Sequence, residues 1–385
     1  MSAALKPKRR IKGQSSVRRR DFLKIGGAAG VAVAASPLAA PYVRNAQAAA
    51  GITLKVQTMW SSGGVGHTIF ETWCNSIIER SSGELALAPF AANEISEVFD
   101  MAEAVSGGVL DGMLWNPIYW AVTKRMPAGA FLSSFPMGLN HPHHYDMLFD
   151  SYGGIELARE FWAKQGLYFV GHIQHDFNLI HSKKPIKSLD DFKDLKIRMP
   201  GGLIAECFSA IGARVVTLPG PDVYSALETG AIEAADFVGP AINHGLGFAE
   251  VSNYIIMGPV STPCLHQPVD LMEFSFNLQT WNGLSDHLQK LLTDEVRVFS
   301  MQHFTGIQGA NIEAWSKFAK AGTKVTRLSE DDVLRFRKVA IPLWFKWANK
   351  DKDAARFFKL HLEVMQNPGV AILAPDDIKG YELNL

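Results

Sequence analysis

The chain of 385 residues is long enough for two core-bearing lobes, and its 47% apolar and 20% charged residues are ordinary for a soluble globular protein. Residues 1–48 hold ten of the 38 Lys and Arg and one of the 38 Asp and Glu, so the remainder carries 28 basic and 37 acidic side chains. A net charge of −9 over residues 49–385 argues against nucleic acid as a partner. It also means that an anionic ligand needs a local positive site.

The first 48 residues predict an export signal that is cleaved from the mature protein. Arg19-Arg20-Asp21-Phe22-Leu23 follows a basic leader and precedes a Gly- and Ala-rich run, and Ala46-Gln47-Ala48 supplies small residues for cleavage. A membrane anchor is the alternative, but the run from Ile25 to Ala40 is too short and too weakly apolar to span a bilayer. We therefore predict a twin-arginine-type signal and a periplasmic mature protein.

Short strands and helices alternate from residue 52 onwards. Ile52–Met59 alternates apolar and polar residues as a strand does, and His67–Arg80 places its apolar side chains on one helical face. The strand Leu85–Phe90 and the helix Met101–Val109 repeat this order. Longer periodic stretches predict helices at Tyr145–Gln165, Leu284–Lys320, Glu330–Asn349 and Asp351–Gln366. The alternation predicts an α/β fold with mainly parallel sheets and crevices at the strand ends.

Two tryptophans and one asparagine lie at such strand ends. Trp60 follows the first strand, and Trp115-Asn116-Pro117 follows the strand that begins at Leu110. Each indole is either a core residue or part of a cleft wall, where it offers an apolar face and one N–H donor. We predict that Trp60, Trp115 and Asn116 line a ligand cleft.

Arg198 is the strongest candidate for a residue that binds a ligand. It closes the predicted strand Leu195–Arg198, just before the turn Pro200-Gly201-Gly202 and a further helix. Its guanidinium is always charged and presents a planar fork that matches a carboxylate. The alternatives are a surface arginine and a structural ion pair. We predict that Arg198 binds a carboxylate.

Three segments carry a family resemblance. They are Ala102–Gly112, Lys184–Gly201 and Asp222–Asp236. In this order they resemble the DctP-like periplasmic solute-binding proteins of TRAP (tripartite ATP-independent periplasmic) transporters, and the resemblance covers essentially the whole mature chain. It implies a two-lobe, periplasmic-binding-protein-like fold of type II, with a hinge and one long helix that spans both lobes.

The resemblance also implies how the chain divides. We predict that residues 49–173 and 261–300 form the first lobe, and that residues 174–260 and 301–385 form the second lobe with the C-terminal helices. Asn178 lies at the first crossing between the lobes, directly after the strand Leu167–Gln174. We therefore count Asn178 among the ligand-binding residues.

Asp236-Phe237 precedes Val238-Gly239-Pro240, and this stretch resembles the monocarboxylate and 2-oxo-acid branch of the family. That branch has an acidic and an aromatic residue here, usually a tryptophan where this chain has Phe237. Asn243 follows where a ligand-facing loop is expected. The predicted ligand-binding residues are thus Arg198, Asn178, Phe237, Trp60, Trp115, Asn116 and Asn243.

A metal ion is the open question of this site. In the monocarboxylate branch a second acidic residue helps to hold a Na⁺ or Ca²⁺ that bridges ligand and protein. This chain has no Asp or Glu between Gly258 and Val269, and such cations want several oxygen ligands. We predict no required cofactor, with Na⁺ or Ca²⁺ in the cleft, bound mainly by Asp236, as the alternative.

The predicted function is the capture of a small carboxylate, such as a 2-oxo or 2-hydroxy monocarboxylate, for delivery to the TRAP membrane permease subunits. An enzyme is not predicted, since the chain has no Gly-x-Ser-x-Gly elbow, His-Glu-x-x-His motif or phosphate-binding loop. The alternatives are a sensor protein that presents its ligand to a membrane receptor and an exported hydrolase. The protein is predicted to be a monomer or homodimer. Its three cysteines, Cys74, Cys207 and Cys264, are predicted to be buried, and one disulfide is left open.

Overall fold

The computed structural model of the protein describes residues 51–122 and 126–385. The predicted export signal lies outside these residues. Within them, no helix has both the length and the apolar character needed to cross a membrane.

Eleven strands form two sheets within the described part of the chain. In chain order they are β1 (Ile52–Thr58), β2 (Leu85–Phe90), β3 (Gly112–Trp115), β4 (Leu167–Gln174), β5 (Leu179–Ser182), β6 (Lys196–Met199), β7 (Arg214–Thr217), β8 (Ala234–Phe237), β9 (Tyr254–Met257), β10 (Leu271–Asn277) and β11 (Lys324–Arg327). The first sheet has the order β2-β1-β3-β10-β4, and the second has the order β11-β9-β5-β8-β6-β7.

Helices cover both sheets. Those before the first crossing are α1 (Val65–Arg80), α2 (Met101–Ser106), α3 (Ile118–Val122), α4 (Gly129–Leu132), α5 (Pro142–Asp150) and α6 (Gly154–Ala163). Those of the second sheet are α7 (Gly202–Ala210), α8 (Val223–Thr229), α9 (Pro240–Gly245) and α10 (Phe248–Val251). The remaining helices are α11 (Leu278–Gly283), α12 (Asp286–Lys320), α13 (Glu330–Ala348) and α14 (Lys352–Met365). The two-lobe α/β prediction is confirmed.

The sheets are mixed, although mainly parallel sheets were predicted. All antiparallel pairings involve β10 in the first sheet or β5 in the second. Each of these two strands enters its sheet directly from the other sheet, without the crossover helix that a parallel connection needs. The remaining pairings are parallel, as the strand–helix alternation predicts.

Three segments of the chain join the two lobes. Residues 175–178 lead from β4 to β5, and residues 258–270 lead from β9 to β10. Helix α12 packs on β4 and α1 in the first lobe and on α9 in the second. The predicted long helix that spans both lobes is therefore present.

The C-terminal helices contact both lobes. Helix α13 packs on α7, which covers the second sheet, whereas α14 packs on α4, α5 and α6. Arg356 of α14 also forms an ion pair with Glu160 of α6. The predicted lobe boundaries, which place residues 301–385 entirely with the second lobe, do not describe α14 well and otherwise stay a prediction.

The helix predicted over Tyr145–Gln165 is broken into α5 and α6. Gly153 adopts a left-handed conformation with φ of 84° just before α6 begins, which glycine tolerates because it has no Cβ. A Cβ on Gly154 would meet the backbone of Leu148 and Phe149 within 3.0 Å. The end of α5 packs closely against the start of α6 at Gly153 and Gly154, and this packing explains why the helix is interrupted there. The cysteines Cys74, Cys207 and Cys264 are buried, as predicted, and all three are free thiols.

Gly309 offers a direct test of helix propensity in α12. A Cβ at this position would meet nothing within 4 Å, so Ala fits without any rearrangement. Glycine in a helix interior costs about 1 kcal/mol relative to alanine. We expect Gly309→Ala to raise the free energy of unfolding by about that amount in urea titrations. The matched control is Gly322→Ala, which also meets nothing but has φ of +82° and should be destabilised. A loss of stability in Gly309→Ala would contradict the prediction.

Candidate functional site

Arg198 is buried at the carboxyl end of β6, with its side chain only 2% exposed. Its Nε donates a hydrogen bond to the carbonyl oxygen of Leu218 over 3.0 Å. Its Nη1 donates to the carbonyl oxygen of Asp236 over 2.8 Å and to the carboxylate Oδ2 of Asp236 over 3.2 Å. The guanidinium carbon lies 5.4 Å from the centroid of the Phe237 ring. The strand ends thus hold the guanidinium in one orientation, and its Nη2 edge takes no part in these three bonds.

The Asp236 carboxylate joins three segments of the chain. Its Oδ1 accepts a hydrogen bond from His266 Nε2 over 2.7 Å and one from Asn178 Nδ2 over 3.1 Å. Burial alone would lower the pKa of His266, but Cys264 and the Asp236 carboxylate outweigh burial and raise it to about 10. The close contact of His266 with the Asp236 carboxylate therefore favours the imidazolium form. Strand β8, which carries Asp236, and both loops that cross between the lobes therefore meet at this carboxylate.

A chain of amides continues from Asp236 to the first lobe. Asn178 Nδ2 also donates to Gln267 Oε1 over 2.8 Å, and Gln267 Nε2 donates to Asp270 Oδ1 over 3.2 Å. The same Asp270 oxygen accepts a hydrogen bond from Asn116 Nδ2 over 3.0 Å. Burial raises the pKa of Asp270 to about 7, so this carboxyl is partly protonated near neutral pH.

Tyr119 of α3 brings the first lobe close to Arg198. Burial raises the pKa of the Tyr119 hydroxyl to about 12, and the Arg198 guanidinium opposes that rise through its charge and a hydrogen bond. The Tyr119 ring packs edge-on against Trp115, with 5.6 Å between the centroids. The first lobe therefore places the Tyr119 hydroxyl close to the buried Arg198 guanidinium.

A cavity of about 380 Å³ opens beside Phe237. The first lobe contributes the loop after β1 and the start of α1, and the second lobe contributes Phe237 and residues around α9. The lining residues are Met59, Trp60, Ser61, Ser62, Gly63, Gly64, Val65, Gly66, Gly220, Pro221, Phe237, Ala241, Ile242, Gly245 and Leu246. Its wall is uncharged and has two aromatic rings, Trp60 and Phe237. Arg198 does not line the cavity, but its guanidinium carbon lies 5.4 Å from the Phe237 ring.

Asp176 lies in the segment 175–178 and forms contacts with the second lobe and with helix α12. Its Oδ1 lies 2.6 Å from His175 Nδ1 and accepts a hydrogen bond from the backbone N–H of Gly239 over 3.1 Å. Its Oδ2 accepts a hydrogen bond from Asn311 of α12. The His175 ring lies 5.2 Å from the Trp60 ring, so this cluster extends to the cavity wall.

Most of the predicted site residues come together. Arg198, Asn178 and Phe237 surround Asp236 directly, Asn116 joins them through Asp270, and Trp60 lines the cavity.

Trp115 and Asn243 are placed elsewhere, which corrects their predicted role. The Trp115 indole N–H donates to the Val98 carbonyl oxygen over 2.7 Å, and the ring is fully buried among core aromatics. Asn243 is also fully buried, with its Nδ2 bound to the Val238 carbonyl and 2.9 Å from His181 Nε2. The N–H groups of both side chains are engaged by the protein, whereas Asn243 Oδ1 is buried without a hydrogen-bond partner. Neither side chain lines the cavity.

Several residues of the network were not among the predicted site residues. They are Tyr119, His175, Asp176, His266, Gln267 and Asp270. The one available signal was position, since Tyr119 follows Asn116 by three residues and the others lie in the segments that cross between lobes.

Two lobes joined by three segments, with a buried cation and an uncharged cavity at the strand ends, define the class of solute-binding proteins that enclose a ligand between lobes. The chain belongs to the bacterial extracellular solute-binding proteins of family 7 (DctP), whose model matches residues 56–351.

Individual relatives are consistent with this family. A monocarboxylate 2-oxoacid-binding periplasmic protein of Nostoc sp. is 28% identical over 297 residues, which cover 73% of this chain and 75% of that protein. A TRAP transporter solute-binding protein from Bordetella bronchiseptica, with copurified calcium and picolinate, has a TM-score of 0.74 at 21% identity and covers 83% of this chain and 93% of its own. A TRAP periplasmic solute-binding protein from Colwellia psychrerythraea, with bound calcium and pyruvate, has a TM-score of 0.73 at 20% identity, with coverages of 83% and 98%. The two solved structures establish the fold.

The residues around Asp236 do not fit a divalent cation. Both carboxylate oxygens face N–H donors, from Arg198 on one side and from His266 and Asn178 on the other. Ca²⁺ takes six to eight oxygen ligands, commonly with several carboxylates. Within residues 51–122 and 126–385, no group of three His, Cys, Asp or Glu side chains is arranged to hold a metal. Asp236, predicted as the main ligand only for the alternative in which a cation is present, forms an ion pair with Arg198.

Proposed function

We propose that the protein captures a small monocarboxylate, a 2-oxo or 2-hydroxy acid, in the cleft between its lobes and delivers it to a TRAP membrane permease. The observation that carries this proposal is the charge around Arg198. Two cations, Arg198 and His266, face the single carboxylate Asp236, while Asp270 is partly neutral. One ligand carboxylate would balance this excess of positive charge in a buried site.

The shape and lining of the cavity support a small ligand with an apolar part. Its volume of about 380 Å³ lies at the lower end of the range for small-molecule sites. Trp60 and Phe237 offer aromatic faces, and the wall residues include no Lys or Arg. A dicarboxylate would need a cationic partner for its second carboxylate at the cavity wall, away from Arg198 and His266, and the wall residues include no Lys or Arg.

The relatives support binding and transport over catalysis. The Nostoc relative is named for binding monocarboxylate 2-oxoacids, and the Colwellia structure holds pyruvate. The predicted export signal and the periplasmic location that it implies agree with this use. On this proposal the protein is not an enzyme and carries its ligand as a monomer or homodimer.

We expect pyruvate, 2-oxobutanoate and lactate to raise the melting temperature of the mature protein. A ligand that binds only the folded state adds about 4 kcal/mol of stability at a thousand times its dissociation constant. Thermal-shift assays and titration calorimetry measure this effect. Lactamide, which matches lactate in shape but has no charge, is the control and should produce no shift. Stabilisation by malonate, succinate or glucuronate alone would refute the monocarboxylate proposal.

A further inference from the structure

We propose that this chain binds its carboxylate without Ca²⁺, because the Arg198 and His266 side chains together occupy and neutralise the Asp236 carboxylate. The inference rests on the proposed function and concerns the same site. It sets this protein apart from the Bordetella and Colwellia structures, which hold calcium with their ligands.

The first step is the occupation of the carboxylate oxygens. His266 Nε2 lies 2.7 Å from Asp236 Oδ1, and Asn178 Nδ2 lies 3.1 Å from the same oxygen. A Ca²⁺ ion at about 2.3–2.6 Å from Oδ1 would have to displace at least one of these donors. Neither side chain has room to leave, since both are 5% exposed or less.

The second step is the shortage of other oxygen ligands. Asn178 Oδ1 is buried and has no hydrogen-bond partner, so it is one free acceptor near Asp236. Gln267 Oε1 already accepts from Asn178, and Asp270 Oδ1 accepts from both Gln267 and Asn116. Asn178 Oδ1 and the second carboxylate oxygen of Asp270, which accepts neither of these bonds, fall well short of the six or more oxygens that Ca²⁺ takes.

The third step is the charge of the loaded site. With a ligand carboxylate bound, the two cations Arg198 and His266 balance the ligand and Asp236. Adding a dication would leave a net charge of two in a buried site, and ionised Asp270 would remove only one of these charges. Uncompensated charge in a low-dielectric interior is strongly unfavourable, so the site without a divalent cation is the stable one.

The test uses the whole mature protein, purified through EDTA into a sodium-free buffer and checked for metal by elemental analysis. Pyruvate binding is then measured by calorimetry, without and with added Ca²⁺. Equal affinity under the two conditions is expected. Binding that requires Ca²⁺ would overturn this inference and leave the proposed function intact. Failure of every monocarboxylate under all conditions would instead refute the proposed function.

Two variants sharpen the result. His266→Gln removes the positive charge beside Asp236 and is expected to weaken pyruvate binding about tenfold or more, with no recovery on addition of Ca²⁺. The control is His287→Gln, an exposed histidine of α12, which should bind as the wild type does. Recovery of His266→Gln to wild-type affinity on addition of Ca²⁺, or wild-type affinity of this variant without metal, would overturn the role of His266.

Gln267→Glu tests the same idea in a variant that keeps Arg198 and His266. It places a second carboxylate beside Asn178 and Asp270, so that several carboxylates become available to a cation. We expect this variant to show a Ca²⁺-dependent affinity that the wild type lacks. A Ca²⁺ dependence of equal size in both proteins would overturn the inference.

Discussion

Replacement of Arg198 by Ala is expected to weaken pyruvate binding by about two to four decades. Truncation of one side of a buried charge pair costs about 3–5 kcal/mol, because the remaining charge stays desolvated and unpaired. Arg198→Lys should recover only part of the affinity, since an ammonium is a point charge and cannot reproduce the planar fork. Titration calorimetry with pyruvate measures both effects.

The same substitution should also lower the stability of the protein without ligand. Arg198 donates to two backbone carbonyls, of Leu218 and Asp236, and to the Asp236 carboxylate. Ala would leave these buried acceptors without that donor, and each such loss costs about 1–3 kcal/mol. The affinity must therefore be measured at a temperature where circular dichroism shows that the variant is folded.

Arg214→Ala is the matched control for Arg198. Arg214 lies on β7, the neighbouring strand, but its side chain is 63% exposed and pairs with Asp194 on the surface. Exposed ion pairs contribute about 0–1 kcal/mol, so both affinity and stability should stay close to the wild type. A folded Arg198→Ala protein with wild-type affinity would show that this residue is structural and would remove the central part of the proposed site.

The long C-terminal helices could be predicted almost residue by residue, because their signals are local. Ser285, Ser329 and Asp351 each cap the helix that follows by accepting a hydrogen bond from its first turn. Apolar periodicity fixes the buried face of each helix. The break between α5 and α6 was missed because it depends on the packing of Gly154 against the preceding helix, which periodicity does not show.

The candidate site could be predicted only where it follows from strand ends. Arg198, Phe237 and Asn178 lie at strand termini or directly beside one, where α/β sheets present ligand-binding residues. His266 and Asp270 lie in a crossing segment without regular structure, so no periodic pattern marks them. Their contacts join positions 30 and 154 residues apart, and only the tertiary fold brings such positions together.

Trp115 was predicted to line the cleft, but the structure places it in the core. A strand end and a polar neighbour favoured the cleft wall, but the Val98 carbonyl lies within reach of the indole N–H. Burial of the whole ring with its one polar atom satisfied is a stable arrangement for tryptophan. The sequence contains no sign of that acceptor, since Val98 lies 17 residues earlier, at the start of a single 3₁₀ turn.

Gly239→Ala is expected to give the largest loss of stability among substitutions near the hinge. The Gly239 backbone has φ of −76°, which alanine adopts freely, so backbone strain is not the cause. The added Cβ would come well within 3.0 Å of the Asp176 carboxylate, and real Cβ atoms do not approach other atoms so closely. Asp176 cannot move aside, because Asn311 and His175 hold it in a buried position.

The expected cost of Gly239→Ala combines overpacking with the loss of a charge-assisted hydrogen bond, and amounts to about 3 kcal/mol or more in the free energy of unfolding. Gly245→Ala, at the other end of α9, is the matched control, since its Cβ would meet nothing within 4 Å. Urea titrations compare the two variants. Combining Gly239→Ala with Asp176→Ala removes the clash, so the glycine substitution should cost much less in that background. An equal cost of Gly239→Ala with and without Asp176 would show that this carboxylate is not what the glycine accommodates.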